Sequence, residues 1–235
     1  MAFYKTKGII IKRDPSGEAD CVITVFTKEH GKLRLAGRGM RRITSKLASE
    51  LDLFNYTDFL ITSGRSFDVI TGALTIQRFP FLKQDLKRLQ IAEYLTGLLD
   101  CLSAEGHQDK EIFSLLKRIF VFLDKEKRAF DPWLILRNFE WELLTKSGFK
   151  PKLYECSSCH KKLKPERNYL SSKGQGIICS SCQKRDPYAR DISNNSIKIL
   201  RLLESRDFQK LQKLALLSKQ KQELKNTLQY FLENI

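Results

Sequence analysis

No stretch of this 235-residue chain stays apolar for long. The longest unbroken run, Ile119–Leu123, has five residues, against the roughly 20 that a membrane-spanning helix requires. Met1–Lys7 holds two lysines and neither an apolar stretch nor a small-residue cleavage site, so no secretory signal is expected and the cytoplasm is the expected compartment. Histidine is scarce. His30, His107 and His160 follow no metal or triad spacing, which leaves a would-be nucleophile without an activating base. No GxxxxGK[ST] loop is present, and Gly37-Arg38-Gly39 is too short to cradle a phosphate chain. No HxE element precedes the CxxC pairs, so a nucleobase deaminase is unsupported. Neither a helix-turn-helix with base-reading side chains nor a Cys2His2 finger can be found. The expected protein is not an enzyme.

Acid is also in short supply. Lys plus Arg number 42 against 27 Asp plus Glu, giving a net charge of +15 and a pI near 9.6. Charge of that size repels itself unless a polyanion relieves it, and the available polyanions are nucleic acid and acidic protein tails. A merely solubilising surface is the alternative. Apolar residues make up 42% and aromatics 10% of the chain, enough for an ordinary core and too many for a disordered protein.

Texture changes along the chain. Up to residue 80, short runs rich in Ile, Val, Phe and Thr (Gly8–Lys12, Cys21–Thr27, Lys32–Gly37, Asp58–Thr62 and Phe67–Ile76) alternate with Asp14-Pro15-Ser16-Gly17, His30-Gly31 and Ser63-Gly64-Arg65. Five short strands suit a small barrel, which removes exposed edges. After Phe79-Pro80 the period becomes helical. Leu82, Leu86, Leu89, Tyr94, Leu95, Leu98, Leu99 and Leu102 can share one face. Asp109 is placed to cap a second helix through Ile112, Leu115, Leu116, Ile119 and Leu123. Asp131-Pro132 is placed to start a third, with Leu136, Phe139 and Leu143 on one side and a stop at Gly148. Two or three further helices follow from Ser193, the last with Leu224, Leu228, Phe231 and Leu232 on its apolar side. The predicted fold class is α+β: a β-barrel domain over residues 1–80, then a helical domain over 81–235 interrupted by an insertion at about 151–186.

That insertion contains Cys156-Ser-Ser-Cys159 and, after nineteen intervening residues, Cys179-Ser-Ser-Cys182. A two-residue gap turns both thiolates of a pair toward one ion, and two such knuckles complete a tetrahedron. Four cysteine ligands leave no open coordination position, so the expected site is one structural zinc in a ribbon-like insertion, with Gly174 and Gly176 in its turn. Competing readings are disulfides, disfavoured in a reducing compartment, a redox pair, which lacks its βαβ setting, and c-type haem attachment at Cys156–His160, which would leave the second pair unexplained. Cys21 and Cys101 read as core residues.

Between Lys28 and Lys46 stand Lys28, Lys32, Arg34, Arg38, Arg41, Arg42 and Lys46 against the single acid Glu29. Alternation in Lys32-Leu33-Arg34-Leu35 puts leucines on one face and cations on the other. The strand then runs into Gly37–Arg42, read as a flexible loop in which backbone N–H groups and guanidinium forks meet phosphates. A solvated edge that blocks strand aggregation is the bland reading. A cationic groove with Tyr4, Phe54 and Tyr56 as stacking candidates suits single strands better than duplex reading, although core or rim positions fit those three rings at least as well.

With these residues placed, the sequence resembles the RecO family of bacterial recombinational-repair mediators. The resemblance lies in Lys7-Gly8-Ile9-Ile10-Ile11, Gly17-Glu18-Ala19-Asp20, Phe26–Lys32, Gly37–Lys46, Ala92-Glu93-Tyr94-Leu95, Phe139–Leu144 and Ser147-Gly148-Phe149, followed by the cysteine quartet. It implies an N-terminal OB fold, a helical C-terminal domain and a zinc insertion. It further implies a cytoplasmic, nucleoid-associated protein that binds single- and double-stranded DNA and anneals complementary strands. The implied partners are RecR and the acidic tail of single-strand-binding protein, and the implied task is to help load RecA. The DNA surface maps onto the basic segment, and the tail site onto the helix bearing Arg137, which equally fits a surface residue paired with a neighbouring glutamate. An adaptor for acidic tails and an RNA-binding zinc-ribbon protein remain alternatives.

Overall fold

A computed structural model describes residues 3–42, 44–45, 47–64, 67–126, 131–173, 176–205 and 216–233. The chain divides into two compact units, Met1–Ala129 and Phe130–Ile235.

In the first unit, β1 (Phe3–Ser16), β2 (Asp20–Thr27), β3 (Gly31–Gly37), β4 (Tyr56–Thr62) and β5 (Asp68–Gln77) close into a barrel of order β1-β2-β3-β5-β4. All pairings are antiparallel except the short one that closes the barrel, Leu35 with Asp68 and Ala36 with Val69. β1 is much longer than its predicted piece because it serves two neighbours: its first half pairs β4, its second half pairs β2, and a bulge between Ile10 and Lys12 bends it. Ile10, Ile23, Val25, Leu35, Phe59, Ile61 and Ile70 point inward, joined by Met40 and Leu51 from the connection between β3 and β4. This is the OB-like barrel expected for the N-terminal part.

Three helices belong to the same unit: α1 (Pro80–Gln84), α2 (Leu86–Leu102) and α3 (Lys110–Lys125). The single leucine face expected from Leu82 to Leu102 is broken at Asp85, whose carboxylate accepts from the Arg88 N–H and starts a new helix, leaving Leu86 68% exposed. Asp109 caps α3 through the Glu111 and Ile112 N–H groups, and Ile112, Leu115, Leu116, Ile119 and Leu123 are buried as expected. Phe54 and Phe79 both set their edges against Phe120, at 5.6 Å between ring centroids, and tie barrel to helices.

In the second unit, Asp131 caps α4 (Pro132–Lys146) by accepting from the Trp133 N–H, with Pro132 in the first turn. The helix gives way to Gly148 at φ 86°. Short strands β6 (Asn168–Leu170), β7 (Ile177–Cys179) and β8 (Arg190–Ile192) form a sheet of order β7-β6-β8, with the one-turn α5 (Ser180–Gln183) after β7. Then come α6 (Asn194–Glu204), capped by Ser193, and α7 (Ser218–Leu232), which buries Leu224, Leu228, Phe231 and Leu232.

Gly31 shows how tightly the helices of the first unit meet the barrel. Its φ is 63°, and a Cβ there would collide with the His107 carbonyl, whereas Gly17, at φ 65°, faces open space. Gly31→Ala should destabilise the first unit by about 2 kcal/mol or more, and Gly17→Ala by no more than about 1–2 kcal/mol from its backbone conformation alone. Urea denaturation of the two variants side by side checks the difference.

Candidate nucleic-acid interface and metal centre

Two ends of the insertion bring the cysteine pairs together. Cys156 and Cys159 lie in a turn held by the Cys156 N–H on the Lys161 carbonyl (2.8 Å), the His160 N–H on the Cys156 carbonyl (2.9 Å) and the Ser157 N–H on the Ile177 carbonyl (2.8 Å). β7 runs straight into α5, so Cys179 closes the strand and Cys182 sits in the helical turn. Gly176 lets β7 approach the backbone of Lys152 at a position where a Cβ would not fit; Gly174 lies outside the described residues. All four sulfurs lie within 4.8 Å of one another, and Cys159 Sγ is 3.9 Å from Cys179 Sγ. Sulfurs at about 2.3 Å from a common centre on a tetrahedron stand about 3.8 Å apart. The quartet therefore fits a metal ion and can hold one.

The electrostatics agree. Burial opposes ionisation of Cys156, but N–H groups of Cys159, Cys179 and Ser158 outweigh it and bring the thiol down to about 6. Burial, reinforced by the neighbouring thiols, pushes Cys182 up to about 12. The backbone prepares one thiolate; gathering four in one place needs a cation.

In the basic segment, Lys28, Arg34, Arg38, Arg41 and Arg42 are exposed, and Lys46 lies outside the described residues. Lys32 departs from the expected cationic face. It is 8% exposed, and its ammonium donates to the Asp100 carbonyl (2.5 Å) and lies 3.4 Å from the Asp100 carboxylate. The alternation holds, with Leu33 and Leu35 against the core, but the chain after α2 covers the other face at this point: Glu105 bridges to Lys32, and the Gly106 N–H donates to the Lys32 carbonyl. Arg34 escapes the cover, lying 5.7 Å from the Phe67 ring centroid and 3.8 Å from Glu105.

The loop after β3 is pinned rather than flexible. Met40, 2% exposed, enters the barrel core. The Gly39 N–H donates to Asp20 (2.7 Å), the Arg41 N–H to the Ala19 carbonyl (2.9 Å), and the Arg41 guanidinium to the Gly17 carbonyl (3.1 Å). One apolar side chain inside and the β1–β2 turn alongside thus hold Arg38, Arg41 and Arg42 outward. Arg38 and Arg42 have no ion-pair partner among the described residues. Met40 and Asp20 are the contributors that charge counting missed; a lone methionine within Gly37–Arg42 was the available signal.

Other candidates fall inside. Phe54 is 1% and Tyr56 8% exposed, and Tyr56 carries the Lys117 ammonium 4.0 Å from its ring centroid. Tyr4 donates its hydroxyl to Asp68 (2.7 Å). These rings are core or rim residues. Cys21 is buried as expected, whereas Cys101 is exposed. Arg137 is not a surface residue: it is 2% exposed on a part of α4 buried nearly all round, and its guanidinium donates to Glu140 at 2.5 Å.

The family described as Recombination protein O N terminal matches residues 1–79, and that described as Recombination protein O C terminal matches residues 83–234. A DNA repair protein RecO of Dehalococcoides mccartyi is 34% identical over 211 residues, covering 90% of this chain and 82% of the relative. One from Roseiflexus is 33% identical over 232 residues, 99% of this chain and 81% of the relative. One from Halalkalibacterium halodurans is 32% identical over 232 residues, with 98% and 89% covered. Among the described residues no helix is long and apolar enough to cross a membrane.

Truncating Arg137 leaves the Glu140 carboxylate buried without its guanidinium. Arg137→Ala should cost about 3–5 kcal/mol, and Arg137→Met combined with Glu140→Leu much less. Denaturation midpoints of the single and double variants, at an unchanged slope, check this.

Proposed function

Because the chain belongs to the RecO family, we propose that it serves DNA repair as a recombination mediator that performs no chemistry. Its first 80 residues bind single- and double-stranded DNA, and the remainder, with its insertion, engages protein partners. The observation that carries this reading is the pinned loop: Met40 and Asp20 fix the backbone from which the exposed Arg38, Arg41 and Arg42 project, so that backbone is in place before any ligand arrives. Phosphates meeting them need order only the side chains and not the loop. Lys28 and Arg34, with Lys46, extend the cationic track; Lys32 contributes structure rather than contact, since Asp100 already holds its ammonium.

The mechanism is charge screening. One strand lies along the track, the positive potential lowers its repulsion toward a second strand, and base pairing supplies the free energy of annealing. Partners proposed from family membership are RecR, the acidic tail of single-strand-binding protein and, through them, RecA. Tail capture is assigned to the second unit, where Arg137 supports the α4 surface from beneath. The metal is proposed to be a single structural zinc, since an all-thiolate, closed, tetrahedral set suits that ion and leaves no position for catalysis.

Removing two phosphate contacts from a single-stranded site lowers the slope of log affinity against log salt by about 1.4. Arg41→Ala with Arg42→Ala should therefore weaken oligonucleotide binding and flatten its salt dependence by that amount, as read by fluorescence anisotropy. A folded variant that binds like the wild type rejects the loop as the track. Annealing of complementary oligonucleotides coated with single-strand-binding protein should be accelerated, and less so when that protein lacks its tail. Metal analysis should find about one zinc per chain, lost in Cys159→Ser with Cys179→Ser.

A further inference from the structure

Cations gather a second time in the insertion of the second unit. From residue 150 to 191 the chain has ten Lys and Arg against four Asp and Glu, and the structure gives part of this charge a shape. A concavity of about 480 Å³ lies beside the cysteine quartet, with Lys150, Lys152 and Lys162 in its lining. Lys150 and Lys162 are exposed. Lys152 is fixed between His160, 3.1 Å from its ammonium, and Glu155 at 3.7 Å.

Tyr154 belongs to the same lining and is 52% exposed. Its placement has a definite cause. The Arg201 guanidinium stands 4.7 Å from the ring centroid, and its two donors are anchored on the Leu153 carbonyl at 3.1 and 2.6 Å. A ring braced by an anchored cation, with half its surface left to solvent, is a platform set for something flat. Glu155 and Glu204 also line the concavity. Their carboxylates disfavour a bare anion there and offer acceptors to base N–H donors.

We propose that this concavity takes one nucleotide of single-stranded DNA, its base stacked on Tyr154 and its phosphate among Lys150, Lys152 and Lys162. The site is separate in sequence from the barrel loop, and it rests on the reading that the protein binds DNA. Stacking platform and cationic surround together are the arrangement that holds single strands without reading sequence.

The test titrates labelled oligo(dT) into the full-length, metal-replete protein by fluorescence anisotropy over a range of salt. Tyr154→Ala should weaken binding about tenfold, whereas Tyr154→Phe, which keeps the ring, should stay within about twofold of the wild type. Lys150→Ala with Lys162→Ala removes two exposed side chains that make no hydrogen bond or ion pair among the described residues, and should lower the salt slope by about 1.4. Unchanged binding in both the Tyr154→Ala and the lysine variants, alongside weakened binding in Arg41→Ala with Arg42→Ala, overturns the nucleotide site and leaves the barrel reading standing. Absence of oligo(dT) binding by the wild type overturns the barrel reading and this site with it. If Tyr154→Ala loses its metal, the lysine pair alone decides. Inorganic phosphate that competes better than chloride at equal ionic strength, with Tyr154→Ala binding as wild type, reduces the concavity to a simple anion site and also overturns the proposal.

Discussion

Burial of the Met40 side chain is the contact on which the rest of the basic surface depends. The connection leaving β3 holds a methionine between Gly37-Arg38-Gly39 and Arg41-Arg42, and hydrophobic transfer draws that one side chain into the barrel core beside Leu35 and Ile23. Once Met40 is inside, its neighbours have little choice. Gly39 reaches Asp20, Arg41 reaches Ala19 and, through its guanidinium, Gly17, and the side chains of Arg38, Arg41 and Arg42 all lie exposed on the barrel's outside. An apolar contact thus sets the direction of the charges.

The same logic, with the sign reversed, removes Lys32 from the surface. It alternates with the core leucines as a strand residue must, so its side chain leaves the barrel on the outer face. At that point the chain after α2 runs alongside, and Asp100 meets the ammonium. A lysine buried with a carboxylate and a carbonyl acceptor is satisfied, where one buried alone would lose its charge. Barrel and helices of the first unit are joined by this pair, by the Phe54–Phe120–Phe79 cluster and by the close approach at Gly31.

In the insertion, short-range hydrogen bonds organise a site for a cation. Two tight turns point backbone N–H groups at the Cys156 sulfur and bring it near Cys159 and Cys179. Strands of three residues and a one-turn helix have too little apolar surface to hold such a module by themselves, and a metal bound by the quartet adds its binding free energy to folding. Lys152 bridges to Gly176 just before β7, and the Tyr154 carbonyl accepts from the Leu163 N–H just after the first cysteine turn, so both are tied to the backbone that carries the cysteines.

By itself the sequence determined whatever depends on neighbours a few residues apart. Period-two and helical patterns marked five strands and the helices after them. Asp109 and Asp131-Pro132 marked two helix starts, and the CxxC spacing marked the metal quartet; each is a local rule of backbone geometry or ligand reach. Only the tertiary structure decided which charges face water. Lys32 and Arg34 are two residues apart on one strand face, yet one is covered by Asp100, 68 residues away, and the other is not. Arg137 likewise looked like a surface cation until the packing around α4 enclosed it with Glu140. Burial of a charge is set by whichever distant segment arrives opposite it, and no local pattern records that arrival.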